Sequence, residues 1–251
     1  TAWVNFLAKR DRPFEILLVD DGSSDDTAKK AELFAARQPG LALLRHEKPQ
    51  GFGASIRTAL ARAQHPLFFY SALDYPYLPA DLQKLLDRIN DVDVVNGCRG
   101  ALPLPPWAGT VRQVMNLLTR VVIGLRRESA PGWLGIPLNV YGRFVRVLFG
   151  VHVLDPESAF KLFRREIFAR IPIQSDGPFV HTEILAKANF LTYWMDEIPI
   201  GCLTGSTPEA LTPPFRWADH WRDLRRVLFH PDFGPPVPEP AAVTAAPTSP
   251  M

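Results

Sequence analysis

The chain has 251 residues, 47% hydrophobic and 22% charged, an ordinary make-up for a globular protein with one large domain or a domain plus an appendage. Its formal net charge of +2 is too small to argue for nucleic acid. No signal peptide and no apolar run long enough to span a bilayer is legible, and the two cysteines, Cys98 and Cys202, show neither metal spacing nor a disulfide framework. Both cysteines read as reduced, buried thiols of a cytosolic protein. The charge is unevenly spread, with acids near Asp20 and Asp74 and arginines from Arg112 to Arg165 and from Arg216 to Arg226. That polarity suits a protein that meets phosphates or an anionic membrane face, or else a solvated basic surface.

The first third alternates strand and helix signals. The run "FEILLVD", Phe14–Asp20, is continuously apolar, as buried parallel strands are. "SDDTAKKAELFAARQ" predicts a helix, with Ser24 as its N-cap and acids in the first turn. A second strand is expected over Leu41–Glu47, and a helix from the glycines of "GFGASIRTALARAQ", Gly51–Gln64. A third strand, Pro66–Leu73, runs up to Asp74; the helix "LPADLQKLLDRIN" and a fourth strand, Val92–Arg99, follow. This alternation implies a mostly parallel open sheet with helices on both faces. Ligands of such sheets collect at the carboxyl ends of the strands, where Asp20, Asp21, Asp74 and Arg99 fall.

The middle is apolar and studded with arginine, as two candidate amphipathic helices that either lie in a membrane interface or pack on the sheet. "DPESAFKLFRREIFARIPI" follows, then a helix, turn and strand in "FVHTEILAKANFLTYWMDEIPI", and a basic amphipathic helix in "FRWADHWRDLRRVLFH". Three parts are expected: a domain over 1–205 containing an arginine-rich helical insertion at 101–150, a helix over 206–230, and a disordered Pro/Ala-rich tail over 231–251.

Several residue groups carry possible chemistry. Asp20 and Asp21, with Gly22 and Ser23, place two carboxylates at a strand end, where they can accept hydrogen bonds from a base or ribose. Helix capping is the plainer duty of such residues, but it does not require Asp20. Gly51 and Gly53 let the backbone approach a neighbour closely at a helix start. Asp74 stands where a carboxylate can hold a divalent cation, or can cap a turn before Pro76. Asp155 and Glu183 are either site carboxylates or paired structural ones, and His181 reads as structural. Arg99, Lys161, Arg164 and Arg165 are candidate phosphate contacts. Receiver domains also place an acidic pair after a first strand. They need a Lys after a later one, and none follows "VDVVNGCRG".

The ordered set "FEILLVDDGSSDDT", "GFGASIRTALARA", a strand ending in an acid, "VDVVNGCRG", "DPESAFKLFRREIF" and "EILAKA…MDEIPI" resembles family-two glycosyltransferases. The nearest likeness is to the branch acting on polyprenyl or dolichol phosphates, over most of Pro13 to Ile200. The resemblance implies a GT-A, Rossmann-like α/β fold and a nucleotide-diphosphate sugar donor. It also implies Mg2+ or Mn2+, and an acceptor that is a lipid phosphate or another group. It places Asp20 and Asp21, with Gly22, Ser23, Gly51, Gly53, Arg99 and Lys161, around the donor. Asp74 is then the metal ligand, and Asp74, Asp155 and Glu183 are the catalytic candidates. The later motif D-x-x-(S/T/C)-(G/A)-F-(K/R) matches Asp155, Ser158, Ala159, Phe160 and Lys161.

Three departures from the pattern stand out. Ala72 occupies the first position of the metal motif, leaving Asp74 alone. The family's opening strand falls upstream of Thr1, so the chain reads as a fragment. The stretch after "EIPI", "GCLTGSTPEA", has no arginine. The expectation is a hexosyltransferase, peripheral on the cytoplasmic face of a membrane and without nucleic-acid partners. The alternative is a non-catalytic relative that binds nucleotide sugar or acts as a scaffold.

Overall fold

The computed structural model describes residues 2–10, 12–38, 40–72, 77–99, 144–201 and 217–235. Asp74, Cys202, the arginine-rich stretch 101–143 and the tail beyond 235 lie outside the described residues. After a short helix α1 (Ala2–Ala8), strand β1 (Ile16–Asp20) pairs in parallel with β2 (Leu41–Arg45), Ile16 opposite Leu41 and Asp20 opposite Arg45. Helix α2 (Thr27–Ala35) connects them. It begins at Thr27, later than the Ser24 cap expected from sequence, because the Asp25 carboxylate accepts the Thr27 amide at 3.0 Å. Such a local side-chain turn competes with helical hydrogen bonding and delays the first helical residue.

Helix α3 (Phe52–Arg62), β3 (Leu67–Ser71), α4 (Asp81–Arg88) and β4 (Val94–Arg99) continue the alternation. A helical stretch over 144–149 precedes β5 (Phe160–Arg164), which enters antiparallel between β3 and β4. A 3-10 turn, Arg165–Ala169, leads on to α5 (Val180–Phe190), and β6 (Met195–Ile200) then pairs in parallel with β4. Helix α6 (Trp217–Phe229) closes the described chain. The strands form two sheets, β1-β2 and β3-β5-β4-β6, and among the described residues no strand joins β1 to β3.

The period-two geometry of a strand sends alternate side chains of the four-stranded sheet to opposite faces. On β5, Phe160 and Leu162 face one core, built with Leu82, Leu85, Ile89, Val95 and the α1 residues Trp3 and Phe6. Phe163 faces the other, shared with Ile56 of α3, Ile184 and Leu185 of α5 and Leu224 and Val227 of α6. Leu17 and Val19 of β1 pack against this second core. Helix α5 is buried on nearly all sides, so its periodic stripe is weak and its polar residues are forced inside.

The carboxyl ends of the strands carry several of the residues singled out from sequence. Asp20 and Arg45 end the strands of the two-stranded sheet, and Ser71, Arg99 and Ile200 end the three like-running strands of the other. Because β5 runs the other way, the segment preceding it, Asp155–Ala159, reaches the same end.

Candidate functional site

At the end of β1 the two aspartates part ways. Asp20 is 6% exposed, and its Oδ1 accepts the Ser23 amide at 3.2 Å and the Ser23 hydroxyl. Its Oδ2 is buried, makes no hydrogen bond, and has Arg45 Nε at 3.3 Å. Asp21 turns to the loop after β2. Its Oδ1 accepts the Gln50 amide at 2.9 Å and meets His46 Nδ1 at 2.7 Å, while Oδ2 accepts the Gly51 amide at 2.8 Å. An ionised carboxylate only accepts, so His46 Nδ1 carries the proton. The other ring nitrogen lies 2.8 Å from Thr58 Oγ1 on α3. Partial burial would raise the Asp21 pKa, but the hydrogen bonds from His46, Gln50 and Gly51 outweigh it and hold the carboxyl below its usual range. Gly22 has φ +72°, and a Cβ there would stand 2.6 Å from the Lys48 carbonyl carbon, so the two loops touch backbone to backbone. Asp21 thus binds the chain's own amides, while Asp20 retains an unbonded buried oxygen.

Gly51 and Gly53 do meet a close neighbour, and it is the chain itself. A Cβ on Gly51, whose φ is +98°, would lie 2.4 Å from the Asp176 carbonyl oxygen. One on Gly53 would lie 1.9 Å from that of Ser175, and the Gly53 amide donates to the Asp176 carbonyl at 2.7 Å. Arg57 of α3 reaches back to the Ser175 carbonyl at 3.1 Å and pairs with the Asp176 carboxylate. This 174–177 loop is held by Glu183 from the first turn of α5, whose oxygens accept the Gln174 amide at 2.7 Å and the Ser175 amide at 2.8 Å. Lys187, one turn on, pairs with Glu183 Oε1 at 2.8 Å and donates to the Pro172 carbonyl at 2.6 Å. Burial lowers the Lys187 pKa against the pull of Glu183. His181 is buried with its Nδ1 3.0 Å from the Tyr70 hydroxyl and its ring 4.7 Å from that of Phe52.

The third group joins β4, β5 and β6. Arg99 makes a fork on the fully buried Asp155, Nε to Oδ2 at 2.7 Å and Nη2 to Oδ1 at 2.8 Å, and its backbone amide adds a third bond at 3.1 Å. Two parallel charge-assisted bonds are the strong geometry for this pair. Burial alone would lower the Arg99 pKa; the Asp155 charge outweighs it and keeps the guanidinium a fixed cation. Beneath the fork, Asn96 donates to the Asp155 carbonyl at 2.9 Å and to Glu197 Oε1 at 2.7 Å. Glu197 accepts the Leu154 amide at 2.8 Å and the Asp155 amide at 3.0 Å. Its pKa is raised because burial outweighs those bonds. Lys161, fully buried, donates to Asn96 Oδ1, and burial pushes its pKa down to about 7 despite Asp155 and Glu197.

The structure places these residues in three networks: Asp20, Asp21, Gly22 and Ser23 at the end of β1, Gly51, Gly53 and Glu183 around the 174–177 loop, and Arg99, Asp155 and Lys161 on the four-stranded sheet. Arg164 and Arg165 sit at the far end of β5, where they bind the carbonyls of Ile89 and His65. His46, Asn96 and Glu197 were not singled out from sequence. Each occurs in an unremarkable local pattern, and only strand pairing joins them to the site. A groove of about 490 Å³ between α3 and residues 165–173 is lined by Arg57, Leu60, Phe168 and Ile173.

Among the described residues no cluster of three or more His, Cys, Asp or Glu could hold a metal ion. Asp155 is taken by Arg99 and Asp21 by backbone amides, and Ala72 offers only a methyl. Asp74, the residue expected to hold a divalent cation, lies outside the described residues.

A family model, glycosyl transferase family 2, matches residues 2–171. Over 191 residues the chain is 23% identical to the glycosyltransferase AglD of Haloferax volcanii, covering 74% of this chain but 27% of that one. It is 24% identical over 236 residues to an undecaprenyl-phosphate mannosyltransferase of Micrococcus luteus, covering 85% of this chain and 87% of the relative. Among solved structures, glucosyl-3-phosphoglycerate synthase from Mycobacterium tuberculosis with Mg2+ and UDP superposes at a TM-score of 0.55. That alignment has 16% identity and covers 84% of this chain and 68% of the other, a likeness of fold.

Proposed function

The chain belongs to glycosyl transferase family 2, and we propose that it moves a hexose from a nucleotide-diphosphate sugar to a polyprenyl phosphate at a membrane surface. The observation that carries the choice of acceptor is the state of the two carboxylates expected as bases. Both oxygens of Asp155 and of Glu183 are hydrogen-bonded within the fold. A hydroxyl acceptor needs a carboxylate to take its proton, whereas a lipid phosphate is already an anion at neutral pH and needs little such help. The named activity of the Micrococcus luteus relative points the same way.

In this reading Asp20, held by Ser23 and Arg45, and Asp21, held by the Gln50 and Gly51 amides, shape the loop that receives the nucleoside. Arg99, fixed by Asp155, supplies positive charge where the leaving diphosphate develops its own. Lys161 sits too deep to touch a phosphate and acts as a positioning residue under Asn96. A divalent cation at Asp74 would neutralise the diphosphate further.

Calorimetric titration of GDP-mannose and UDP-glucose, each with and without manganese, tests the reading. Saturable binding of one donor, followed by sugar transfer to a short-chain polyprenyl phosphate, is expected. A folded protein that binds neither donor would overturn it in favour of a non-catalytic relative.

A further inference from the structure

One cross-strand row of the four-stranded sheet is polar on every strand. Tyr70 on β3 lies opposite Lys161 on β5, Lys161 opposite Asn96 on β4, and Asn96 opposite Glu197 on β6. The next row on the same face is apolar throughout: Phe68, Phe163, Val94 and Met195. Lys161 and Asn96 are fully buried, and Glu197 is half-buried. Groups of this kind inside a core cost free energy unless each finds a partner. Tyr70 meets His181, and Lys161 donates to Asn96 Oδ1. The remaining partners lie above the row.

Both Glu197 oxygens are engaged there. Oε1 accepts Asn96 Nδ2 at 2.7 Å and the Asp155 amide at 3.0 Å, and Oε2 accepts the Leu154 amide at 2.8 Å. Asn96 Nδ2 also donates to the Asp155 carbonyl at 2.9 Å. Leu154 and Asp155 belong to no helix or strand, so these side chains hold their backbone where a ladder would otherwise do so. The Asp155 carboxylate in turn takes the Arg99 fork and the Arg99 amide. A guanidinium is planar with its donors in fixed directions, so the carboxylate it grips dictates where it points. The Arg99 side chain is 16% exposed at the end of β4, so part of it reaches solvent.

We propose that Glu197 is a positioning residue for Arg99. By fixing the 154–155 backbone it sets the Asp155 carboxylate, and through that carboxylate the direction in which the guanidinium meets an anionic ligand. The chain of contacts is continuous, from Glu197 to the Asp155 amide and from the Asp155 carboxylate to Arg99. Asn96 closes it from below by binding Glu197 and the Asp155 carbonyl with one NH2 group. That the ligand is the diphosphate of a nucleotide sugar rests on the transferase reading above; the coupling of Glu197 to Arg99 does not.

Hydrogen exchange of the whole chain, followed by NMR, tests the coupling. In the parent protein the Leu154 and Asp155 amides and the Arg99 Nε–H should open together. An Arg99 Nε–H that exchanges independently of those amides would overturn the proposal, and this arm needs no variant. Glu197→Gln keeps the shape of the side chain but turns an NH2 group toward one of the amides. It should speed exchange at Arg99 Nε–H roughly tenfold or more. Exchange at Arg165 Nε–H, bound to the His65 carbonyl at 2.8 Å, should stay as in the parent. Equal acceleration at both arginines would show a general loss of stability and overturn the proposal, as would no change at Arg99. Calorimetric titration of GDP and of UDP adds the functional arm. E197Q should weaken binding of the nucleotide that the parent takes roughly tenfold, and should add little to the loss caused by R99K, because both act through one guanidinium. Additive losses would overturn the proposal. A parent chain whose exchange is coupled as expected but which binds neither nucleotide would remove the transferase reading alone.

Discussion

Glu183→Gln separates a bracing carboxylate from a catalytic one. Glu183 and Lys187 are both fully buried and 2.8 Å apart, so solvent does not screen the pair. Breaking a buried ion pair by removing one charge costs about 3–5 kcal/mol, because the partner is left uncompensated. The substitution also sets an amide NH2 against either the Gln174 or the Ser175 amide, each of which now donates to Glu183. An orphaned buried donor costs about 1–3 kcal/mol. The two losses share one side chain and do not simply add. Lys187 retains the Pro172 carbonyl at 2.6 Å, which limits the damage. The expected loss is about 3–5 kcal/mol, a large share of the roughly 5–15 kcal/mol typical of a folded domain. Urea unfolding followed by circular dichroism measures it as a lower midpoint at similar slope. Adding Lys187→Met should recover part of the loss, since the uncompensated charge is gone. A variant within about 1 kcal/mol of the parent would refute the bracing argument. Unchanged stability with a 10²–10⁴-fold loss of transfer, the usual size of a general-base contribution, would instead return Glu183 to catalysis.

Gly53→Ala should push the 174–177 loop off α3, since the added methyl would sit 1.9 Å from the Ser175 carbonyl oxygen. A loss of about 1–3 kcal/mol in urea unfolding, with weaker donor binding, is expected, as overpacking typically costs that much. Lys161 provides a pH test. With its folded pKa near 7, below the ordinary lysine value of 10.5, the unfolded chain binds more protons between those two points. The burial penalty is therefore full below pH 7 and is relieved as pH rises toward 10.5. Stability of the parent relative to Lys161→Met should climb across that window, and thermal midpoints of the two proteins moving in parallel would count against the argument. Ala72→Asp restores a second carboxylate two residues before Asp74 and should tighten manganese-dependent donor binding on the order of tenfold. No gain in calorimetry would mean that Asp74 and position 72 do not share a cation.

The sequence by itself determined the alternation of strands and helices, the place of the acidic turn at a strand end, and the family. Those features are local or ordered along the chain: the apolar run before Asp20, the glycines opening α3, the motif from Asp155 to Lys161. It also narrowed the site to one edge, because strand ends carry ligands in such sheets. What each residue does there was decided by contacts between distant segments. Asp20 and Asp21 are adjacent and alike, yet one keeps a buried oxygen unbonded while the other is consumed by amides 29 and 30 residues away. Asp155 reads as a site carboxylate or as a paired structural one, and its pairing with Arg99, 56 residues earlier, comes from β5 running antiparallel. Glu183 reads the same two ways, and only the loop before α5 folding back onto it supplies the amides it accepts. Glu197 and His46 gave no signal, because a carboxylate on a strand or a histidine after one is ordinary until pairing shows what faces it. Spacing along a chain records which face a side chain takes; only packing decides which buried charge finds a partner, and an unpaired one is too costly to leave to chance.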